Sequence, residues 1–141
     1  MLVIDASVAV KFVTDEPGSN AAYAIVTGPE PLIAPHWVIC ECANVIGKKV
    51  LAKTLPRALA ETCVSELPRF FSRLFDSNEL IEKALRHSFD LEHAFYDCIY
   101  LALGLRENAV LVTADQKFAN VVRRGGLGDH VRLLGDEERH G

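Results

Sequence analysis

Four acidic residues of this 141-residue sequence interrupt apolar segments or stand where a helix would begin: Asp5, Glu41, Asp97 and Asp115. Asp5 ends the apolar run Leu2–Ile4, and Asp115 closely follows a second such run at Val110–Thr113. Short continuous apolar runs are typical of strands buried on both faces of a parallel sheet. Ligands of such sheets bind outside the carboxyl ends of the strands, so both acids are predicted at that edge.

Singly, each acid also has an ordinary structural interpretation. Asp97 interrupts residues 94–105, which are apolar nearly all round and predict a buried helix, but a first-turn acid that reaches solvent explains it equally well. Glu41 borders the apolar stripe of a predicted helix over residues 36–53, where a surface glutamate is the default. Asp115 and the hydroxyl of Ser7 both suit helix N-caps.

Taken jointly, the acids indicate a cation site. Right-handed crossovers would place all four at one edge of the sheet, where they repel one another unless a cation holds them. Hard oxygen ligands select Mg²⁺ or Mn²⁺, which activate water and neutralise phosphoryl oxygens. The hydroxyls of Ser7 and Thr113 lie beside this edge and could position water or phosphate. Lys11, Lys48 and Lys49 could contact phosphates, although solvated helix faces are the commoner explanation for lysines.

The chain is mildly acidic, with a formal net charge of −4 and 50% hydrophobic residues. Its length suits one core, so we predict a single domain over residues 1–141 with a frayed tail from about residue 135. Because the net charge is negative, any contact with nucleic acid must come from a local basic patch or a bound cation.

The cysteines and histidines do not predict a zinc site. The four cysteines form no CxxC pair, and the five histidines lack zinc-binding spacing. Free thiols are typical of a reducing cytosol. The first residues lack the basic segment of a secretory signal, and no apolar run approaches membrane-spanning length. We therefore expect a soluble, cytoplasmic protein with no membrane partner.

Strands alternate with helices along the chain, which predicts a three-layer α/β/α sandwich around a mostly parallel sheet of about five short strands. The strands are predicted at residues 2–4, 32–34, 70–75, 110–113 and 131–134, the last at an edge because it contains Arg132. Helices are predicted at residues 8–13 with Ser7 as a cap, 20–27, 36–53, 54–67 with Thr54 as a cap, 76–89, 94–105 and 116–124, and residues 90–93 are interpreted as a linker.

Four segments resemble, in order and spacing, the PIN-domain ribonucleases: Leu2-Val3-Ile4-Asp5-Ala6-Ser7, Glu41 in the third helix, Tyr96-Asp97-Cys98-Ile99-Tyr100-Leu101-Ala102 and Leu111-Val112-Thr113-Ala114-Asp115. More narrowly, the chain is similar to VapC-type toxins of prokaryotic toxin–antitoxin pairs, which are single PIN domains of about this length. The resemblance covers nearly the whole chain.

The resemblance implies a PIN-like fold and a Mg²⁺/Mn²⁺-dependent endoribonuclease, usually a homodimer, whose cognate antitoxin occupies the active site. Its catalytic and metal-binding acids would be Asp5, Glu41, Asp97 and Asp115, with Ser7 and Thr113 as supporting polar residues. The chain departs from the family where many relatives carry a further acid, because Gln116-Lys117-Phe118 follows Asp115. The number of metal ions is therefore left open.

Three alternatives remain at this stage. A haloacid-dehalogenase-type phosphotransferase also has an Asp after its first strand, but it normally needs a second Asp where this chain has Ser7. A phospho-receiver domain needs an acidic pair after the first strand and a Lys after the last, whereas Gly135-Asp136-Glu137 stands here. A PIN-like module used only for binding is disfavoured, though not excluded, by the intact acids.

Overall fold

The computed structural model describes residues 1–136. Within them, five parallel strands pair in the order β3-β2-β1-β4-β5. Their bounds are Leu2–Ile4 (β1), Leu32–Pro35 (β2), Arg73–Phe75 (β3), Val110–Thr113 (β4) and Val131–Leu133 (β5). The predicted α/β sandwich with a parallel sheet is confirmed. The strand order differs from the 2-1-3-4-5 order of receiver domains, which argues against that alternative.

Helices connect the strands and pack against the sheet. The α-helices are Ala6–Ala9 (α1), Ser19–Val26 (α2), Trp37–Leu51 (α3), Arg57–Glu66 (α4), Ile81–Leu91 (α5), Phe95–Glu107 (α6) and Gln116–Val122 (α7). Shorter helical turns lie at Val10–Phe12, Leu67–Phe70, Ser77–Leu80, Arg123–Leu127 and Gly128–His130. No helix within residues 1–136 is long and apolar enough to cross a membrane.

The two central strands are buried on both faces, as their uninterrupted apolar sequences require. Val3, Ile4, Leu111 and Val112 have no measurable exposure. β1 pairs with β2 on one side and with β4 on the other, so that Leu2 lies opposite both Leu32 and Val110. The carboxyl ends of β1 and β4 therefore lie side by side, together with the acid that follows each of them.

Both predicted hydroxyl caps are wrong. Asp5, not Ser7, caps α1, because the Asp5 carboxylate accepts from the backbone N–H of Val8. Pro56 is the N-cap of α4, and a residue before proline is held away from helical geometry, so the helix cannot begin at Thr54. Instead, Thr54 Oγ1 donates to the carbonyl of Lys49 at 3.0 Å, at the end of α3.

Residues 70–75, predicted as the third strand, contribute only their second half to the sheet. Phe70 ends a 3₁₀ turn over Leu67–Phe70, and the N–H of Phe71 donates to the carbonyl of Pro68, so neither residue enters the sheet and the paired register begins at Arg73. The frayed tail predicted from about residue 135 falls largely outside the described residues. Asp136, which is described, lies 3.5 Å from Arg123.

A tight turn joins β4 to α6, the helix that carries Asp97 in its first turn. The N–H of Ala109 donates to the carbonyl of Gly104 at 2.9 Å, and Asn108 ends the helix at φ 52°. A Cβ at Gly104 would lie 2.9 Å from the carbonyl oxygen of Ala109, so only glycine allows this close approach. The turn holds α6 directly against the strands.

Candidate active site

The four predicted acids line one pocket of about 450 Å³ at the carboxyl edge of the sheet. Asp5 follows β1, Asp115 follows β4, Glu41 lies in α3, and Asp97 lies in the first turn of α6. The walls of this acid pocket also include polar side chains that are not among those four: Ser7, Lys11, Glu16 and Tyr100. Residues widely separated in sequence therefore meet where the strand geometry predicts.

Asp5 is the deepest of the acids, with only 5% of its surface exposed. Its Oδ1 accepts from the backbone N–H of Val8 at 3.2 Å and from the hydroxyl of Ser7. Burial raises the pKa of Asp5 to about 7, and the charge of Asp97 adds to the rise, while bonds from Ser7, Thr113 and Val8 oppose it. A cation beside Asp5 would therefore favour its charged form.

Two hydroxyls join the ends of β1 and β4. Ser7 Oγ accepts from the N–H of Ala114 at 2.8 Å and lies 3.3 Å from Thr113 Oγ1. Thr113 Oγ1 in turn accepts from the N–H of Asp115 at 3.1 Å, and Asp115 caps α7 by accepting from the N–H of Phe118. Ser7 and Thr113 thus fix the spacing of the edge. The capping interpretation of Asp115 is confirmed, and Asp5 is a cap as well. A carboxylate has enough lone pairs to cap a helix and bind a cation together.

Glu41 is held by a tyrosine that sequence analysis did not single out. The hydroxyl of Tyr100, a buried residue of α6, donates to Glu41 Oε1 at 2.8 Å. Burial raises the pKa of Glu41, helped by the charge of Asp97 and opposed by Tyr100 and Trp37. Burial, with Glu41 beside it, raises the pKa of Tyr100 as well, so its hydroxyl stays protonated and remains a donor.

Asp97 has a partner in the segment interpreted as a linker. His93 Nε2 lies 2.7 Å from Asp97 Oδ2, and the imidazole stacks on Phe118 with ring centroids 4.7 Å apart. The spacing of four residues was a readable signal, but residues 92–94 precede the helix, so helical periodicity did not reveal it.

A second missed group is a carboxylate between two lysines at the pocket wall. Glu16 bonds Lys11 at 2.9 Å and Lys49 at 3.1 Å. Although burial alone would raise it, the pKa of Glu16 falls to about 2 because these lysines and Thr14 bond the carboxylate. Of the lysines predicted to contact phosphate, Lys11 lines the pocket and Lys49 reaches it through Glu16. Lys48 is exposed and lies on a different groove, between α3 and α4.

The donor set fits a hydrated Mg²⁺ or Mn²⁺ ion. Hard carboxylate oxygens suit these ions, and a cation would offset the burial that disfavours the charged form of Asp5. Within residues 1–136, however, no three Asp, Glu, His or Cys side chains already converge closely enough to hold a metal. Mg²⁺ usually keeps several waters and binds through one or two carboxylates plus phosphate oxygens. The pocket therefore suits an ion that retains part of its water shell.

An acid-lined pocket beside the switch in strand order of an open parallel sheet defines an α/β protein built to bind a ligand at that edge. The model of the PIN domain family matches residues 2–124, and the chain belongs to that family. PIN domains are typically nucleases, generally use divalent metals, and membership indicates RNA binding.

A solved structure shows the same fold. The crystal structure of PAE2754 from Pyrobaculum aerophilum superposes with a TM-score of 0.74 at 18% identity, covering 99% of this chain and 93% of that one. At this identity the likeness concerns the fold alone. No curated protein matches the sequence significantly.

Proposed function

We propose that the protein is a Mg²⁺- or Mn²⁺-dependent endoribonuclease that hydrolyses RNA phosphodiester bonds. The observation that carries this proposal is the convergence of Asp5, Glu41, Asp97 and Asp115 on one pocket. Asp5 and Asp97 would be the central metal ligands, and Glu41 and Asp115 would assist. A bound Mg²⁺ or Mn²⁺ ion would supply polarisation of the phosphate and a lowered pKa of water.

The chain's own residues would orient the reactants. Tyr100 holds Glu41 beside the pocket, where its carboxylate can orient a water molecule. Lys11 also lines the pocket and would offer positive charge to an RNA phosphate, and Lys49 shares its partner Glu16. Ser7 already bonds Asp5 and the N–H of Ala114, so its part is positioning and not attack.

Cleavage of RNA by the purified protein tests the proposal. Activity is expected with Mg²⁺ or Mn²⁺, should stop in excess chelator, and should return when Mn²⁺ is added. Asp5→Asn should abolish it, whereas Asp90→Asn, an exposed acid of α5, should not. Undiminished cleavage in chelator, by protein free of contaminating nuclease, would refute the mechanism.

We further propose, from the resemblance to VapC-type toxins, that the protein is the toxin of a type II toxin–antitoxin pair. It would then form a homodimer and bind a cognate antitoxin over the acid pocket. Light scattering at micromolar concentration should give the mass of a dimer. A small reading frame immediately upstream that encodes an inhibitor of cleavage would support the pairing.

A PIN-like module that binds RNA without cutting it is the second candidate. It is favoured by one observation, that Asp97 and Glu41 already have hydrogen-bond partners in His93 and Tyr100. Calorimetry separates the two candidates. Saturable binding of Mn²⁺ that Asp97→Asn abolishes supports the nuclease, and RNA binding indifferent to metal supports the module.

A further inference from the structure

Two aromatic side chains stack beside the acid pocket, on the helices that carry Glu41 and Asp97. The rings of Trp37 and Tyr96 lie with centroids 4.8 Å apart and planes inclined by 14°. Tyr96 remains 53% exposed, although large apolar side chains beside it on α6 are buried. Tyr96 therefore keeps about half of its surface open to solvent while it is stacked on Trp37.

The position of this pair follows from two successive contacts between α3 and α6. Trp37 stacks on Tyr96, and one helical turn further along both helices Glu41 accepts from Tyr100. One turn advances a helix by about 5.4 Å. Because Glu41 and Tyr100 line the acid pocket, the aromatic pair lies one turn outside it, at its rim.

Trp37 and Tyr96 each lie close in sequence to an acid of the pocket, Glu41 and Asp97 respectively. One helical turn from Glu41, the indole N–H of Trp37 is buried, and within the described residues it has no acceptor at hydrogen-bond geometry. Asp97 directly follows Tyr96 in sequence. An occupant of the rim would therefore adjoin two of the four acids.

An unpaired nucleobase matches this surface. Single-stranded RNA is recognised largely by bases stacked on exposed aromatic rings, and every base has a face suited to such stacking. The acids repel the phosphate backbone unless a cation intervenes, whereas a flat uncharged ring meets no such penalty at Tyr96. The acid pocket with its cation suits a phosphate, and the Trp37–Tyr96 pair suits the base next to that phosphate.

We propose that Trp37 and Tyr96 form a stacking platform for the nucleobase adjoining the phosphate held at the acid pocket. The proposal rests on the proposed ribonuclease function and adds a base-binding subsite to it. Tyr96 would contact the base, and Trp37 would hold the Tyr96 ring in place by stacking on its other face.

Binding of short single-stranded oligouridylate provides the test, measured with Ca²⁺ by the fluorescence of Trp37, which is the only tryptophan of the chain. Tyr96→Leu should weaken binding about tenfold, and Tyr96→Phe should restore it. Tyr23→Leu is the matched control, because Tyr23 is 68% exposed on α2 and does not line the acid pocket. In a series of oligomers that differ in the position of one abasic nucleotide, the wild type should bind one oligomer more weakly than the others. The Tyr96→Leu protein should bind all of them equally.

The outcomes separate the platform from the nuclease. Unchanged affinity of a folded Tyr96→Leu protein, or a wild type that binds no single-stranded RNA, overturns the platform. A Tyr96→Leu protein that loses its dimer mass and keeps its RNA affinity overturns it too, because the surface is then a subunit interface. Tyr96-dependent binding without metal-dependent cleavage upholds the subsite and removes the nuclease.

Discussion

His93 Nε2 lies 2.7 Å from Asp97 Oδ2, and the imidazole ring stacks on the ring of Phe118 in α7. An ionised carboxylate can only accept, so Nε2 carries the proton in this bond. The histidine therefore ties Asp97 to the helix that Asp115 caps. It sets the distance between two of the four acids without lining the pocket itself.

Replacing His93 should loosen Asp97 without removing it. We expect His93→Ala to lower Mn²⁺ affinity and cleavage by about 10–100-fold, the usual effect of losing a group that orients a metal ligand. His93→Gln, which keeps a donor, should recover part of the loss. Calorimetry with Mn²⁺ and a cleavage assay measure both effects. Unaltered Mn²⁺ affinity in a folded His93→Ala protein would show that the bond is merely structural.

Asp97→Asn removes a charge and keeps the outline of the side chain. If Asp97 is a metal ligand, metal affinity and cleavage should fall by orders of magnitude. Metal-free stability should stay the same or rise, because the carboxylates of Asp5 and Asp97 repel each other. If Asp97 is only a first-turn acid, activity should persist and stability should fall by about 0.3–1 kcal/mol. Thermal melts with and without Mn²⁺, paired with cleavage assays, distinguish these results.

Tyr100→Phe deletes one hydroxyl from a residue that is 1% exposed and leaves its packing intact. Glu41 then loses the donor that opposes its raised pKa, so it should be protonated more readily and orient water less well. We expect slower cleavage and a loss of about 1 kcal/mol in unfolding free energy. Tyr23→Phe, an exposed tyrosine, is the control. Equal activity of the two variants would exclude a role for the bond.

The pH dependence of stability should reveal Glu16. Its pKa in the folded protein is about 2, below its ordinary value of 4.5, so its stabilisation is complete above pH 4.5 and disappears as the pH falls toward 2. Glu16→Gln should lower the free energy of unfolding by about 1 kcal/mol at neutral pH, and the free energy should then depend less on pH between 4.5 and 2. Urea unfolding at several pH values measures it. Glu61→Gln, which breaks an exposed pair with Arg57, should change neither quantity.

The elements that position the site were readable because their sequences admit few alternatives. β1 and β4 follow from unbroken apolar runs, and the carboxyl edge follows from the parallel pairing of such strands. The Ser7 cap was misassigned because Asp5 accepts from the N–H of Val8, while Ser7 donates to Asp5 and accepts from the N–H of Ala114. The Thr54 cap was misassigned because Pro56 fixes where α4 can begin. Those outcomes depend on backbone geometry that composition does not encode.

The acids could be singled out because each interrupts an apolar pattern, whereas their partners follow no pattern of their own. From sequence, Tyr100 is one more apolar position of α6, and its bond to Glu41 exists only because α3 packs beside that helix. From sequence, Glu16 is one charged residue of a loop, and only the folded chain brings Lys11 and Lys49 to its carboxylate. Such pairings arise between elements distant in sequence, so only the assembled structure reveals them.

The pairing of Leu2 with Val110 has a consequence for the protein as it is synthesised. β1 precedes the other four strands and holds the centre of the sheet, yet its neighbour β4 is synthesised only after β2, β3 and six α-helices. Contacts so distant in sequence form late, because the loop between them must be closed first. A nascent or prematurely terminated chain ending before Val110 already carries Asp5, Glu41 and Asp97 but has no strand to complete the edge. The acid pocket therefore forms only after β4 and Asp115 have been synthesised.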